Sequence, residues 1–326
     1  MPTSPDRART AAGPDVVRRN PVGTHITIGK GLTRSLVEAV EAGFETVQIF
    51  AGNPRGWALS AGDPAEDERF NRAREELGVR VFIHAPYLVN PGSPTPLTFE
   101  RSIASVAHNL RRAAELGAEG VVVHTGSYVA PSEAAGEALR AALQRVRSGL
   151  LPLLEAVAEP HAPWLLLEPT AGQGRSLCAG VADLGHYLDA LDFHPKAGIC
   201  LDTCHIFAAG APLDEPGGAT ETLRQIVEIG GLERLRLIHA NDSQDARGKL
   251  LDRHQRIGQG FIGVTAFAEL FAHPATAGIP FILETPGSRE PGNADLAVLK
   301  ALRELAATGA VAVPTVPAGQ DREIPR

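Results

Sequence analysis

AGICLDTCH, residues Ala197–His205, decides how the rest of the chain is read. An uninterrupted run of small and apolar residues ends on Asp202, and His205 follows three positions later. Such runs mark strands buried on both faces, as in parallel sheets. Core packing gives no reason for one to close on a carboxylate. The same pattern recurs in VRVFIH (Val79–His84), GVVVH (Gly120–His124), WLLLE (Trp164–Glu168), RLRLIH (Arg234–His239) and FILE (Phe281–Glu284). Two earlier runs, HITI (His25–Ile28) and TVQIF (Thr46–Phe50), bring the predicted strands to eight.

Helical patterns alternate with these strands. They are expected over Leu32–Ala42, over Phe99–Leu116 behind a Thr98 cap, and from a Ser132 cap to Ala158 with an interruption near Pro152. Further helices are expected over Val181–Leu191, Glu221–Ile229, Val264–Phe271 and Ala294–Ala306. Strands alternating with helices imply a helix-covered parallel sheet. Eight units between residues 21 and 311 fit a (β/α)8 TIM barrel, an α/β fold whose strand ends converge on one functional face. A doubly wound sheet would gather its ligands at one switch crevice instead. Residues 1–20, rich in Pro and Arg, are expected to be a disordered tail, and 312–326 a Pro-containing one.

Of the 326 residues, 44% are hydrophobic, enough for a sizeable core. No apolar run approaches the ~20 residues of a membrane span. The first residues contain no apolar segment of a secretory signal, so a cytoplasmic protein is expected. Three cysteines, Cys178, Cys200 and Cys204, are too few for a disulfide framework.

Nine potential metal ligands stand at or just beyond strand ends: His84, His124, Glu168, Asp202, His205, His239, Asp252, His254 and Glu284. Asp252 and His254 are two positions apart, so an extended chain turns both side chains the same way. Mixed imidazole and carboxylate donors suit zinc better than magnesium or calcium. Nine ligands are too many for two tetrahedral ions, and three ions sharing a carboxylate fit the count. Clustered metals are typical of phosphoester cleavage. The net charge of −7 would disfavour a nucleic-acid partner, but three divalent ions would bring it to about −1 and make the site itself cationic.

From Gly23 to Gly287 the chain resembles the endonuclease IV family of zinc-dependent apurinic/apyrimidinic endonucleases. The motifs that carry the resemblance are IHAPYLVN, VVVHTGS, LEPTAGQG, CLDTCHIFAAG, IHANDS, LDRHQRIGQGFIG and ILETPG. The resemblance implies a trinuclear zinc site on a TIM barrel, with manganese a candidate at one position. His84, His124 and Glu168 would hold the first ion. Glu168, Asp202, His239 and Glu284 would hold the second, with Glu168 bridging, and His205, Asp252 and His254 the third. It also implies double-stranded DNA with abasic sites or blocked 3′ ends as substrate. A metal-activated hydroxide would cleave 5′ to the lesion, leaving a 3′-hydroxyl and a 5′-deoxyribose phosphate, with Glu168 and Glu284 at the chemistry. Arg55 in NPRGW and Tyr87 in HAPYL resemble the family's DNA-inserting residues. A monomer acting without a membrane is expected. The chain departs from the family pattern at Thr125, where Pro is usual, at Pro169, where Asn is common, and in THITIGKG of strand one.

Two other readings compete. A sugar isomerase or epimerase on a related barrel would need one or two metals and no Asp-x-His pair after strand seven. A non-catalytic damage-binding protein would bind abasic DNA without cleaving it.

Overall fold

The computed structural model describes residues 19–128, 135–156, 159–290 and 293–311. Eight parallel strands close into a barrel: β1 (Val22–His25), β2 (Thr46–Ile49), β3 (Arg80–His84), β4 (Gly120–His124), β5 (Trp164–Glu168), β6 (Ala197–Asp202), β7 (Leu235–His239) and β10 (Phe281–Leu283). A two-stranded antiparallel ribbon, β8 (Asp242–Ser243) and β9 (His254–Gln255), lies in the segment between β7 and β10. Of the expected tail at 1–20, residues 1–18 lie outside the described residues, as do 312–326 and the Ser132 cap, while Asn20 is buried and donates to the Ile279 carbonyl at 2.9 Å.

The barrel's two surfaces separate by the two-residue period of a strand. Phe82, Val122, Leu166, Cys200, Leu237 and Ile282 form one buried cluster, the barrel interior. Two residues beyond each stands His84, His124, Glu168, Asp202, His239 or Glu284. The intervening residues, such as Ile83, Val123 and Leu167, belong to the larger cluster beneath the helices. These six expected ligands therefore continue the inward faces of their strands, above an apolar plug.

Strand one lies three residues earlier than HITI predicts. Val22, Gly23 and Thr24 pair with Phe281, Ile282 and Leu283. Gly23 hides the strand from a hydrophobic pattern, yet a Cβ there would sit 1.7 Å from the Thr46 carbonyl oxygen. Helix α1 (Leu32–Glu41) matches its prediction to within a residue, whereas α2 (Pro64–Leu77) was not foreseen. Its signals are end signals: Asp63 caps it by accepting from Ala65 N at 3.0 Å, Pro64 starts it, and Gly78 ends it left-handed. Helix α3 (Pro96–Glu115) begins before Phe99 because proline suits a first turn. Helix α4 (Ala135–Ala156) contains Pro152 without interruption. Helix α5 (Leu184–Ala190) is shorter than predicted, and α6 (Thr203–Ala208) is an unforeseen short helix directly after β6. Helices α7 (Gly218–Gly230), α8 (Val264–Ala272) and α9 (Ala294–Ala307) complete the described set. No helix among the described residues is long and apolar enough to cross a membrane.

Candidate metal centre

All nine expected ligands meet at the C-terminal mouth of the barrel. Glu168, Asp202 and His239 are fully buried, and His84 and His205 nearly so. His124, His254 and Glu284 are partly buried, while the Asp252 side chain is 40% exposed.

Four of the five histidines share one arrangement. One ring nitrogen is committed to an oxygen outside the carboxylate cluster, and the other is turned onto the cluster. His84 Nδ1 is 2.6 Å from the Ala85 carbonyl, leaving Nε2 3.2 Å from Glu168 Oε2. His205 Nδ1 is 3.1 Å from the Pro169 carbonyl, with Glu168 Oε1 farther off at 3.4 Å, leaving Nε2 3.2 Å from Asp252 Oδ2. His239 Nε2 is 2.9 Å from Gln48 Oε1, leaving Nδ1 2.9 Å from Glu168 Oε1 and 3.4 Å from Glu284 Oε2. His254 Nδ1 is 3.3 Å from the Glu284 carbonyl, and its buried Nε2 has no hydrogen-bond partner among the described residues, although Asp252 Oδ1 is 3.1 Å away. His124 turns Nε2 to within 3.4 Å of Glu168 Oε2. Outward hydrogen bonds of this kind fix the tautomer of a metal-binding imidazole and aim its free nitrogen.

The carboxylates divide their oxygens. Glu168 sets Oε2 against His84 and His124, and Oε1 against His239 and His205. It thus stands between two groups of donors. Asp202 caps α6 through Oδ1, which accepts from His205 N at 2.9 Å. Its Oδ2 accepts from Asn241 Nδ2 at 2.7 Å and faces His254 at 3.7 Å and His239 at 3.8 Å. The three-residue spacing of Asp202 and His205 is therefore the first turn of a helix, capped by the ligand itself. Glu284 accepts from Gln48 Nε2 at 2.8 Å through Oε1 and keeps Oε2 toward His239.

Gln48 and His25 are the site residues that sequence reasoning missed. Both are buried and sit side by side in register on β1 and β2. His25 Nδ1 lies 3.1 Å from Glu284 Oε1 and 2.9 Å from Gln48 Nε2. With them, every one of the eight barrel strands delivers a polar inward side chain to the mouth. The available signal was a glutamine inside the apolar run TVQIF, where packing alone would place a hydrophobe.

The charges are strongly coupled. Burial pushes Glu168 upward, but the neighbouring His239 and His124 outweigh it and hold its carboxyl well below the usual range. Glu284 is lowered against burial by His239 and His25, and Asp252 by His205 and His254. In return, Asp202 and Asp252 overcome burial to raise His205 to about 10 and His254 to about 9. Burial lowers His25 to about 4 despite Glu284. Carboxylates and imidazoles here face one another closely, and divalent cations would supply the positive charge such a carboxylate cluster calls for. The residues fit zinc-type ions: imidazole nitrogens are pre-aimed, and carboxylate oxygens face them. The three-residue groups His84, His124, Glu168 and His205, Asp252, His254 each bring one ligand atom per residue within 4.8 Å of one another.

Cys200 and Cys204 also lie near ligands, Cys200 beside Glu168 and His239, and Cys204 beside Asp202 and His254. Burial raises Cys200 to about 12, and raises Cys204 as well. Thr125 and Pro169, the departures from the family pattern, make contacts of their own. The Thr125 hydroxyl donates to the Cys178 carbonyl at 3.2 Å, and Pro169 supplies the carbonyl that His205 faces.

Two clefts flank the cluster. One, of about 410 Å³, is lined by Tyr87, Asn90, His124, Gln173, His205 and Asp252. The other, of about 370 Å³, is lined by Phe50, Arg55, Tyr87 and Arg289. Tyr87 is the shared wall. It is 52% exposed, its ring edges Phe50 at 5.2 Å, and its N–H donates to the Pro54 carbonyl at 3.0 Å. Arg55 is exposed, in a turn where its N–H donates to Asn53 Oδ1 at 2.9 Å. Larger clefts of about 680 and 750 Å³ open at the opposite end of the barrel, lined by arginines such as Arg19, Arg80 and Arg303, and contain none of the nine ligands.

The family described as xylose isomerase-like TIM barrel matches residues 36–306, which defines the class. A solved D-tagatose 3-epimerase-like protein shares that fold at 21% identity, with a TM-score of 0.68 over 88% of this chain and 99% of that one. Closer similarity is found elsewhere. The Streptomyces coelicolor protein named "Probable endonuclease 4" is 50% identical over 296 residues, covering 90% of this chain and 99% of the relative. The crystal structure of endonuclease IV from Thermus thermophilus is 36% identical, with a TM-score of 0.75 over 87% of this chain and 99% of that one. The chain belongs to the endonuclease IV family.

Proposed function

We propose that this protein is a DNA-repair endonuclease that hydrolyses the phosphodiester 5′ to an abasic site, leaving a 3′-hydroxyl and a 5′-deoxyribose phosphate, and that clears blocked 3′ ends. The observation that carries this reading is the set of histidines with one nitrogen tied outward and the other turned onto four carboxylates at the barrel mouth. His84, His124 and Glu168 would hold one zinc ion, with Asp202, His239 and Glu284 joining Glu168 around a second. His205, Asp252 and His254 would hold a third, and manganese is compatible with one of these mixed donor sets. Bound there, divalent ions supply Lewis acidity, lowering the pKa of water and neutralising charge on the phosphate and its leaving oxygen.

The chain's own residues do the placing. Glu168 divides its oxygens between two donor groups, and so sets the spacing of the first two positions. Glu284 is anchored by Gln48 through one oxygen and keeps the other toward His239. Asp202 ties the third group to the second, because its helix cap fixes where His205 begins. Tyr87 and Arg55 stand at the rim, where an aromatic wall and an exposed cation can enter a duplex opened at a missing base. Extruding a nucleotide costs least where no base stacks. A DNA substrate and a cytoplasmic monomer are part of the same proposal.

The test is incision of an end-labelled duplex carrying one abasic analogue, before and after chelation, with zinc restored. A single nick 5′ to the lesion, ending in a 3′-hydroxyl and recovered with zinc, is the expected result. Protein carrying three metals that leaves the duplex intact would overturn the proposal. Turnover of a ketose by protein holding about two metals would move it to the sugar-isomerase class.

A further inference from the structure

The motifs IHANDS and HQRIGQGFIG contain a buried carboxylate that none of the roles above uses. Asp242 is fully buried and accepts from five backbone N–H groups. Its Oδ1 takes Ser243 N at 2.8 Å and Ile262 N at 2.9 Å. Its Oδ2 takes Gly258 N at 2.8 Å, Gly260 N at 3.2 Å and Gly263 N at 3.3 Å. The loop from Gly258 to Gly263 is thus wrapped around one carboxylate. Gly260 is required by the close approach: a Cβ there would lie 2.3 Å from the Ser243 carbonyl oxygen and 2.5 Å from Asp242 Oδ1.

Asp242 also opens β8, which pairs with the strand carrying His254: Asp242 stands opposite Gln255, and Ser243 opposite His254. Gln244 extends the ribbon, donating its N–H to the Arg253 carbonyl at 2.9 Å and its side chain to the His254 carbonyl at 2.9 Å. One buried carboxylate therefore pins the strand before the Asp252–His254 segment and the loop after it. Asp252 is partly exposed and meets the cluster through His205 and His254, and its neighbour Arg253 pairs with Asp245 at the edge of the same ribbon.

We propose that Asp242 is a positioning residue: by gathering the amides of residues 258–263 it sets Asp252 and His254 against His205, and so builds the third metal position. The metal part of this inference rests on the trinuclear reading; the positioning part does not. Carboxylates that accept several backbone amides act as rigid local anchors, and partners behind metal ligands change affinity by roughly 10–100-fold when removed.

The experiment compares wild type, Asp242→Asn and Gly260→Ala, the last of which disturbs the cradle without altering any charge. Hydrogen exchange of the metal-free proteins is followed over residues 252–263. Zinc per chain is then measured under graded chelation, together with the visible absorption of the cobalt(II)-loaded forms. Both variants are expected to exchange faster in 252–263 alone. Both should lose one ion at a free zinc concentration roughly 10–100-fold above that of wild type, with one component of the cobalt spectrum lost. Exchange unchanged in 252–263, or raised throughout the barrel, would overturn the positioning role. Faster local exchange with all ions retained at wild-type affinity would overturn its link to the metal. A wild type that never holds a third ion would overturn the trinuclear reading, while the exchange data still decide whether Asp242 positions the pair.

Discussion

Six candidate ligands are carried by strand ends and three are not. His84, His124, Glu168, Asp202, His239 and Glu284 each continue the inward face of a barrel strand, above an apolar residue two positions back. His205 stands on the short helix α6, His254 on the ribbon between β7 and β10, and Asp252 in the loop joining that ribbon's two strands. Strand-borne groups inherit their positions from the hydrogen-bonded barrel, which is closed and has no free edge. The other three inherit theirs from side-chain anchors: the Asp202 cap for His205, and the Asp242 cradle for the pair. The two regions should therefore fail differently.

The largest effect is expected at the strand-borne carboxylates. Glu284→Gln should preserve the fold, because Gln48 can still donate to the amide oxygen, yet lose most of the incision. Removing several kcal/mol of Lewis-acid stabilisation corresponds to roughly 10³-fold in rate. Unchanged incision rates with the melting temperature preserved would show that the strand-borne group is not the reacting one.

Outer contacts come next. Gln48→Ala strips the partner from His239 and Glu284, while Asp252→Asn weakens only the outlying group. Each should reduce metal affinity about 10–100-fold, but at different positions. If the two regions act separately, the two losses should add in the double variant. Strong coupling between them, seen in metal titrations, would collapse the distinction between the two regions.

Arg55→Ala should leave metal content untouched and weaken binding to an abasic duplex. The dependence of binding on salt should fall by about one ion if Arg55 meets a phosphate. Equal affinity and an equal salt slope would remove Arg55 from the interface.

The smallest effect concerns pH in the metal-free protein. His205 and His254 are raised to about 10 and about 9 from an ordinary 6.5. A raised folded value means that their contribution is complete below pH 6.5 and disappears as pH climbs through 9 to 10. The lowered carboxyls, Glu168 and Asp252, work in the opposite sense and lose their contribution in acid. The melting temperature of metal-free protein should therefore fall by roughly 3–10 °C between pH 7 and 10. Zinc should remove most of that dependence, and Asp252→Asn should shrink it. A flat profile in metal-free wild type would mean that the outlying histidines are not charged in the fold.

The sequence by itself determined the barrel and the chemical nature of its mouth. Continuous apolar runs and their closing His, Asp or Glu are local features, and the two-residue period carries the inward face from core residue to ligand. It also displayed the Asp252–His254 pair, because two positions apart is a meaningful spacing in extended chain. It did not reveal strand one, where Gly23 lacks a side chain to signal burial and the packing against Thr46 does the selecting. Nor did it reveal His25 and Gln48, whose partner Glu284 is more than two hundred residues away and comes near only when β1 closes against β10. The division of the Glu168 oxygens, the outward bond of each tethered histidine and the five amides around Asp242 are likewise properties of the closed structure. Residue type is written locally, but the direction in which a polar atom points depends on neighbours that barrel closure brings together.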